Sequence, residues 1–310
     1  EIEMRLGRLL DKSSGEKARL SPRVKSILLW PPLIPRCRFE PGIPYRMFSA
    51  LNRELNKWVK TGKGSIRYNR TLEIDRVHYI KNSNVGTSQH IRFMIDPYTG
   101  KETGSIVKQR LQNLDLYWPE KLDLDLRGCA SYEEQNPIGV DPIYPCDRLR
   151  KKNRISYFLP HFKVELTETF SYVNPDNMTA TLLQKPRPRQ WKKGMFVKLF
   201  RPPRGWLRGV VHAVGPMSIV TIKDLQGKHH KAHKDSMSLE MDNALSVEPE
   251  ISHEVEVEIT TTDLTVESLQ AWYQCIRGLK HVAEKVDNPE VYPTPAFTSK
   301  SELVEKVRLD

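Results

Sequence analysis

The sequence predicts a mainly β protein in which one antiparallel sheet closes on itself. Three observations carry that expectation. Apolar and polar residues alternate in segment after segment between residues 1 and 170. The opening segment EIEMRLG and the late segment HEVEVEITT both carry carboxylates on alternate residues. Basic residues keep the same spacing in the segments between them. Successive side chains of a strand point to opposite faces, so each such strand has one charged and one apolar face.

Taken in order, residues 1–9 read as a strand, with Glu1, Glu3 and Arg5 on one face and Ile2, Met4 and Leu6 on the other. In PYRMFSALNRELNKWVK (44–60), Met47, Leu51, Leu55 and Val59 recur at helical spacing with Pro44 at the start, which predicts a helix. TLEIDRVHYI (71–80), HIRFMID (90–96), SIVKQRL (105–111), LDLDLRGCASYE (122–133), RISYFL (154–159) and FKVELTETF (162–170) alternate as strands. Asp96, Pro97 and Gly100 supply a hairpin turn between the second and third of these. Residues 71–173 thus read as an antiparallel meander.

At QKPRPRQWKKG (184–194) the composition turns proline-rich and basic, which marks a boundary. GMFVKLFRPPRGWLRGVVHAVGPMSIVTIKDLQGKHHKAHKDSMSLE follows as short strands with Gly-rich turns, the pattern of a small five-stranded barrel. An acidic linker, DNALSVEPEIS (242–252), closes it, and HEVEVEITT (253–261) returns to strict alternation. Leu264, Leu269, Trp272, Tyr273, Ile276, Leu279 and Val282 predict a core-packing helix capped near Thr265, and the last 25 residues look irregular. A chain that leaves a sheet, builds a small unit and returns for a final strand contains an inserted domain. The expected division is 1–183 with 246–310, and 184–245 inserted.

A chain of 310 residues has room for one large or two smaller cores. No apolar run approaches the roughly 20 residues of a membrane helix, so no membrane partner is expected, and no secretory signal is visible. The net charge of +11 favours polyanions such as nucleic acid. Cys37, Cys129, Cys146 and Cys275 are scattered without a CxxC pair, which fits a reducing, intracellular setting better than a disulfide framework or a zinc site.

Glu254, Glu256 and Glu258 share one face of HEVEVEITT, as Glu1 and Glu3 do at the start. Like charges on neighbouring positions repel. Five carboxylates facing one interior need cations, and hard divalent cations with oxygen ligands, Mg²⁺ or Mn²⁺, suit them. Arg92, Lys108, Arg110, Lys152, Arg154 and Lys163 supply the opposite sign at similar spacing. Any one of these strands alone reads more readily as an amphipathic strand with a wet face. Together, acids and bases around one interior could hold a metal and a phosphate chain at once.

These segments resemble the metal-dependent RNA 5′-triphosphatases, the fungal, protozoan and viral mRNA-capping enzymes of the triphosphate tunnel metalloenzyme superfamily. EIEMRLG and HEVEVEI resemble the two glutamate motifs of that family. YWPEKLDLDLRGCASYEE resembles its Tyr-x-Pro turn and glutamate-ended strand, giving Glu133, with Glu134 the alternative. KKNRISY resembles the Lys-x-Arg strand, giving Lys152 and Arg154. FKVELT resembles an Arg-x-Asp-x-Thr strand, with Lys163 and Glu165 replacing the first two residues and Thr167 kept. HIRFMIDPYTG gives Arg92, and EIDRVHY gives Asp75. The resemblance spans about 1–173 and 253–285.

The resemblance implies a closed eight-stranded antiparallel tunnel with flanking helices. It implies hydrolysis of the γ-phosphate of 5′-triphosphate RNA, the first step of cap formation. By analogy Glu1, Glu3 and Glu258 are metal ligands for Mg²⁺ or Mn²⁺. Glu133, Glu256 and Asp75 hold or orient water, and Arg92, Lys108, Lys152, Arg154 and Lys163 bind phosphate oxygens. Glu165, Thr167 and Glu254 support them. A guanylyltransferase and RNA polymerase II are the implied partners, and the nucleus the implied location, or the cytoplasm for a viral enzyme. A polyphosphatase or nucleoside triphosphatase of the same superfamily, or a non-catalytic transcription subunit with this barrel, are the alternatives. The 184–245 segment resembles an SH3-like or KOW-type barrel. Its basic residues beside Trp191, Trp206 and Phe200 suit nucleic acid or a docking protein equally, and KHHKAHK (228–234) reads as a solvated basic loop.

Overall fold

The computed structural model describes residues 1–18, 27–29, 36–61, 66–81, 88–117, 124–135, 146–175, 192–193, 196–201, 205–215, 219–224, 226–233, 237–239, 249–261 and 264–286. The strands are β1 (Ile2–Asp11), β2 (Ile27–Leu29), β3 (Cys37–Pro41), β4 (Arg67–Lys81), β5 (Ser88–Ile95), β6 (Glu102–Tyr117), β7 (Asp125–Gln135), β8 (Arg148–Phe158), β9 (Phe162–Val173), β10 (Phe196–Arg201), β11 (Gly205–Val214), β12 (Ile219–Asp224), β13 (His229–His233), β14 (Met237–Leu239) and β15 (Glu250–Ile259). Two helices, α1 (Tyr45–Thr61) and α2 (Val266–Lys285), complete the described elements.

Eight strands form a closed antiparallel barrel in the order β15-β9-β8-β4-β5-β6-β7-β1, and β1 pairs back with β15. An eight-stranded barrel has an interior just wide enough for side chains to fill. The expected meander over 71–173 is corrected here. Strands β4 to β7 follow one another, but β8 pairs with β4 rather than β7. Alternation fixes which face a residue takes and is silent on which strand lies beside it. The β5–β6 hairpin turns at Asp96, whose carboxylate accepts from the Tyr98 and Thr99 amides at 2.7 and 3.1 Å, with Gly100 at φ 70°.

The two faces of β1 and β15 are divided as their sequences dictate. Met4, Leu6, Val255 and Val257 turn outward into a core with Met47, Leu51 and Leu55 of α1 and Trp272, Ile276 and Leu279 of α2. Each such side chain stabilises the fold by roughly 1.5–3 kcal/mol when fully buried. The Trp272 indole donates to the Val257 carbonyl at 2.8 Å, which pins α2 to the closing strand. Thr265 caps α2 in a reciprocal box with Ser268. The helices thus cover one flank of the barrel and leave the charged faces of β1 and β15 to the interior.

Strands β10–β14 form a separate five-stranded sheet, order β13-β12-β11-β10-β14, around Val197, Val211, Val220 and Ile222. Two boundaries differ from expectation. The linker drawn to residue 252 ends earlier, because β15 begins at Glu250 and pairs with Ser171. His229–His233 is strand rather than loop, and His230 sits 2.7 Å from Asp224. Trp191 and residues 287–310 lie outside the described residues. No helix among the described residues is long and apolar enough to cross a membrane.

Candidate active site

Antiparallel register assembles the charged faces. In the closing seam Glu3 lies opposite Glu258 and Arg5 opposite Glu256. On the far side of β15, Glu256 faces Glu165, Glu258 faces Lys163 and Glu254 faces Thr167. Arg154 lies opposite Thr167, and Lys108 opposite Glu133. Residues as far apart in the chain as Glu3 and Glu258 thereby share one interior, and several are nearly inaccessible: Glu3 and Asp75 are 1 % exposed, Lys152 and Glu165 3 %.

Charges buried this deeply survive only when paired. Lys108 contacts Glu1 directly and reaches Glu133 at 3.3 Å and Glu3 at 3.8 Å. Lys163 bridges Glu258 at 2.8 Å and Glu165 at 3.3 Å. Arg154 binds Glu165 at 3.0 Å, and the Ser156 hydroxyl donates to the same carboxylate at 2.9 Å. Lys152 contacts Asp75 directly, and Arg92 lies 4.0 Å from both Asp75 and Glu133. Glu254 accepts from Arg150 at 2.9 Å and Ser252 at 3.0 Å. The Thr167 hydroxyl is buried with no hydrogen-bond partner among the described residues.

The pKa shifts follow from this pattern. Burial would raise Glu256, but Arg5, Arg154, Lys152 and Lys108 outweigh it and push the carboxyl down to about 2. Burial likewise opposes ionisation of Asp75, yet Lys152 and Arg92 hold it below its usual range. Glu3 goes the other way, raised by burial and by the neighbouring Glu256 charge. Burial, followed by the Glu1 and Glu165 charges, outweighs Lys163 and raises Glu258. The two seam carboxylates are therefore harder to ionise than an exposed glutamate, although Arg5 and Lys163 lie beside them at 2.8 Å.

The register and the ion pairs bring the sequence-derived positions together on one face of the sheet, Glu134 excepted. Of the pair left open, Glu133 faces Lys108, while Glu134 lies opposite Val107, which packs with Ile91 and Phe93 in a separate apolar cluster. Among the described residues no three carboxylate, imidazole or thiol groups converge tightly enough to grip a cation as they stand. Glu1 and Glu258 are instead drawn to lysines, and Glu3 to Arg5 at 2.8 Å. Sequence reasoning assigned no role to Arg5, which bonds Glu3 and Glu256 together (3.0 Å to the latter), or to Arg150. Both were signalled by parity, Arg5 with Glu1 and Glu3, Arg150 with Lys152 and Arg154.

Comparison with known proteins bears on the family and the fold. A model of the family described as mRNA capping enzyme, beta chain, matches residues 1–181, more than half of the 310-residue chain. No curated protein matches in sequence. The solved structure of the S. pombe Pct1 RNA triphosphatase in complex with the Spt5 CTD is similar at 17% identity and a TM-score of 0.53, covering 94% of this chain and 84% of that one. That of Pct1 alone is similar at 16% identity and a TM-score of 0.52, covering 94% and 83%. These two likenesses concern the fold, whereas the family match concerns the sequence that builds β1 to β9. The chain belongs to the family of the mRNA capping enzyme beta chain, the mRNA triphosphatases, and is a hydrolase of that family.

Proposed function

We propose that the protein removes the γ-phosphate of 5′-triphosphate RNA, with a divalent cation, inside the barrel. The observation that carries this reading is the ring of paired acids and bases around one interior, with Glu3 and Glu258 directly opposed at the closing seam. The donor set fits a hard cation, because Glu1, Glu3 and Glu258 offer only carboxylate oxygens from two adjacent strands. When bound there, Mg²⁺ or Mn²⁺ supplies neutralising positive charge to the phosphate oxygens and polarises water.

The chain's own residues do the rest. Arg92, Lys108, Lys152, Arg154 and Lys163 bind phosphate oxygens and stabilise the charge that spreads over them during transfer. Lys108 and Lys163 exchange their carboxylate partners for phosphate when substrate enters. Glu256, kept ionised, and Glu133 orient the attacking water, and Asp75 holds Lys152 in place. The orphaned Thr167 hydroxyl gains a phosphate oxygen as partner. Glu165 and Glu254 fix the cations beside them.

Residues 1–183 with 246–310 form the catalytic unit in this reading, and 184–245 an inserted unit that contacts RNA or protein. Cap formation calls for a guanylyltransferase to use the diphosphate product. The Pct1 complex with the Spt5 CTD supports a partner in the transcription machinery, and hence a nuclear setting for a cellular enzyme. The test is release of labelled phosphate from γ-labelled triphosphate RNA, with and without Mg²⁺ or Mn²⁺, alongside tripolyphosphate as substrate. Metal-dependent release from RNA, lost in Glu3→Ala and Glu256→Ala, is expected. Release indifferent to metal or to both substitutions, or confined to tripolyphosphate, would sink the reading.

A further inference from the structure

A second polar cavity, of about 150 Å³, is lined by Arg5, Arg110, Arg127, Asn113, Cys129 and, on the β3 side, Phe39. It lies where β1 changes neighbours. Arg5 pairs with Glu256 of β15, and two residues later Gly7 pairs with Pro41 of β3. Across β7, Arg5 faces Arg127 and Glu3 faces Cys129, so the cavity continues the barrel's inner wall past Glu3.

The lining holds three guanidinium groups and no carboxylate. The acids that hold these groups are not part of it. Arg127 forms a bidentate pair with Asp115 at 2.6 and 2.8 Å, and its guanidinium lies 4.6 Å from the centre of the Phe39 ring. Arg5 is held by Glu3 and Glu256, and Arg110 donates to Asn113 at 3.1 Å. The guanidiniums are thus fixed in orientation, as a planar fork that recognises oxyanions must be. Arg5 and Arg127 stand directly opposite each other, an unfavourable pairing that an anion between them would relieve. Burial pushes the Cys129 thiol up, so it adds no negative charge. The Arg110 side chain is 37 % exposed, which gives solutes access.

We propose that this cavity is a phosphate subsite that takes an internucleotide phosphate of the RNA whose 5′ end occupies the barrel. The proposal rests on the RNA triphosphatase reading. It gives the enzyme a contact that a free nucleotide cannot make. Inorganic phosphate shares the same chemistry and is the other source to be distinguished.

The test is equilibrium binding of a labelled short RNA with a 5′-diphosphate end to the full chain, with Mg²⁺, across a salt series. In Arg110→Gln the dissociation constant is expected to rise about tenfold, and the log–log salt slope to shrink by about 0.7, the value of one phosphate contact on a single strand. A nucleoside diphosphate, which lacks the internucleotide phosphate, is expected to shift less than about threefold. Asn113→Asp, which places a carboxylate in the lining, is expected to weaken RNA in the same sense; it serves if thermal melting shows Arg110→Gln to be misfolded. An unchanged salt slope in both variants overturns the proposal, as does equal weakening of the nucleoside diphosphate. Inorganic phosphate that binds the wild type but not Arg110→Gln, while RNA binds both with the same affinity and salt slope, overturns the RNA source. Binding is read without turnover, so a protein that binds RNA this way yet releases no phosphate sinks the hydrolysis reading alone.

Discussion

Glu3 and Glu258 face each other across the seam that closes the barrel. Directly opposed like charges destabilise a sheet by up to about 1 kcal/mol. Glu258→Gln is therefore expected to raise the melting temperature of the metal-free protein, by about 2–4 °C for that free energy. Lys163 keeps Glu165 at 3.3 Å in the variant, so it is not stranded. Added Mg²⁺ or Mn²⁺ is expected to stabilise the wild type and to leave the variant nearly unmoved. Melting curves in chelator and in metal check both halves. A variant that melts lower in chelator would mean that Glu258 serves the fold rather than the ligand.

Lys152 and Asp75 form the most deeply buried contact of the interior, 3 % and 1 % exposed. Asp75→Asn leaves that ammonium without its nearest carboxylate, a loss of about 3–5 kcal/mol for a broken buried pair. The folded-state pKa of Asp75 lies below its ordinary 3.8. Its stabilisation is thus complete above that pH and disappears as the pH falls through the folded value. Urea unfolding of both proteins from neutral to acid pH is expected to show a constant gap that narrows only below about pH 4. A gap that widens toward acid would contradict the pairing.

How much of this was legible depends on the kind of information. Parity along a strand is local, so the inward set from Glu1 to Glu258, and the outward set from Met4 to Val257, follow from alternation alone. Neighbour choice is not local. Nothing in RKKNRISYF says that Lys152 lies beside Glu73 rather than beside the preceding strand, because that pairing is settled only when the barrel closes. The same limit hid the individual ion pairs, since a lysine's partner sits on another strand. Glu133 and Glu134 stayed open in the sequence because a one-residue slip exchanges faces, and the register with Lys108 decides it. His229–His233 was misread because lysine and histidine look like loop composition, although Ala232 and His230 alternate on the inner side of a small sheet.

Gly7 sits under the strand that closes one side of the arginine-lined cavity. A Cβ there would lie 2.4 Å from the Glu40 carbonyl oxygen and 2.6 Å from the Phe39 ring. Backbone cannot yield as a flexible side chain can, so β3 must shift. Gly7→Ala is expected to cost about 1–3 kcal/mol and to speed amide hydrogen exchange at Cys37–Pro41, while amides of β8 and β9 keep their protection. Exchange followed by mass spectrometry separates these outcomes, and uniform loosening would show that the contact is not local.

Lys163 tests whether charge or shape matters at the seam. It lies opposite Glu258 and binds both that carboxylate, at 2.8 Å, and Glu165, at 3.3 Å. Burial opposes its charge, but the hydrogen bond to Glu258 and the Glu165 charge outweigh it and keep the ammonium protonated. In the proposed reaction it would turn to a phosphate oxygen, which would leave Glu258 as one of the residues that would hold the cation. Lys163→Met removes both actions, and a fall in kcat of about 10²-fold is expected, the scale of losing one preorganised donor. Lys163→Arg keeps the charge and offers a fork long enough for either partner, so it is expected to stay within about tenfold of wild type. Single-turnover hydrolysis of labelled triphosphate RNA at saturating Mn²⁺ checks the pair. If arginine is as poor as methionine, the ammonium's compact shape is the requirement; if methionine is fully active, Lys163 serves only to hold Glu165 and Glu258 in the resting barrel.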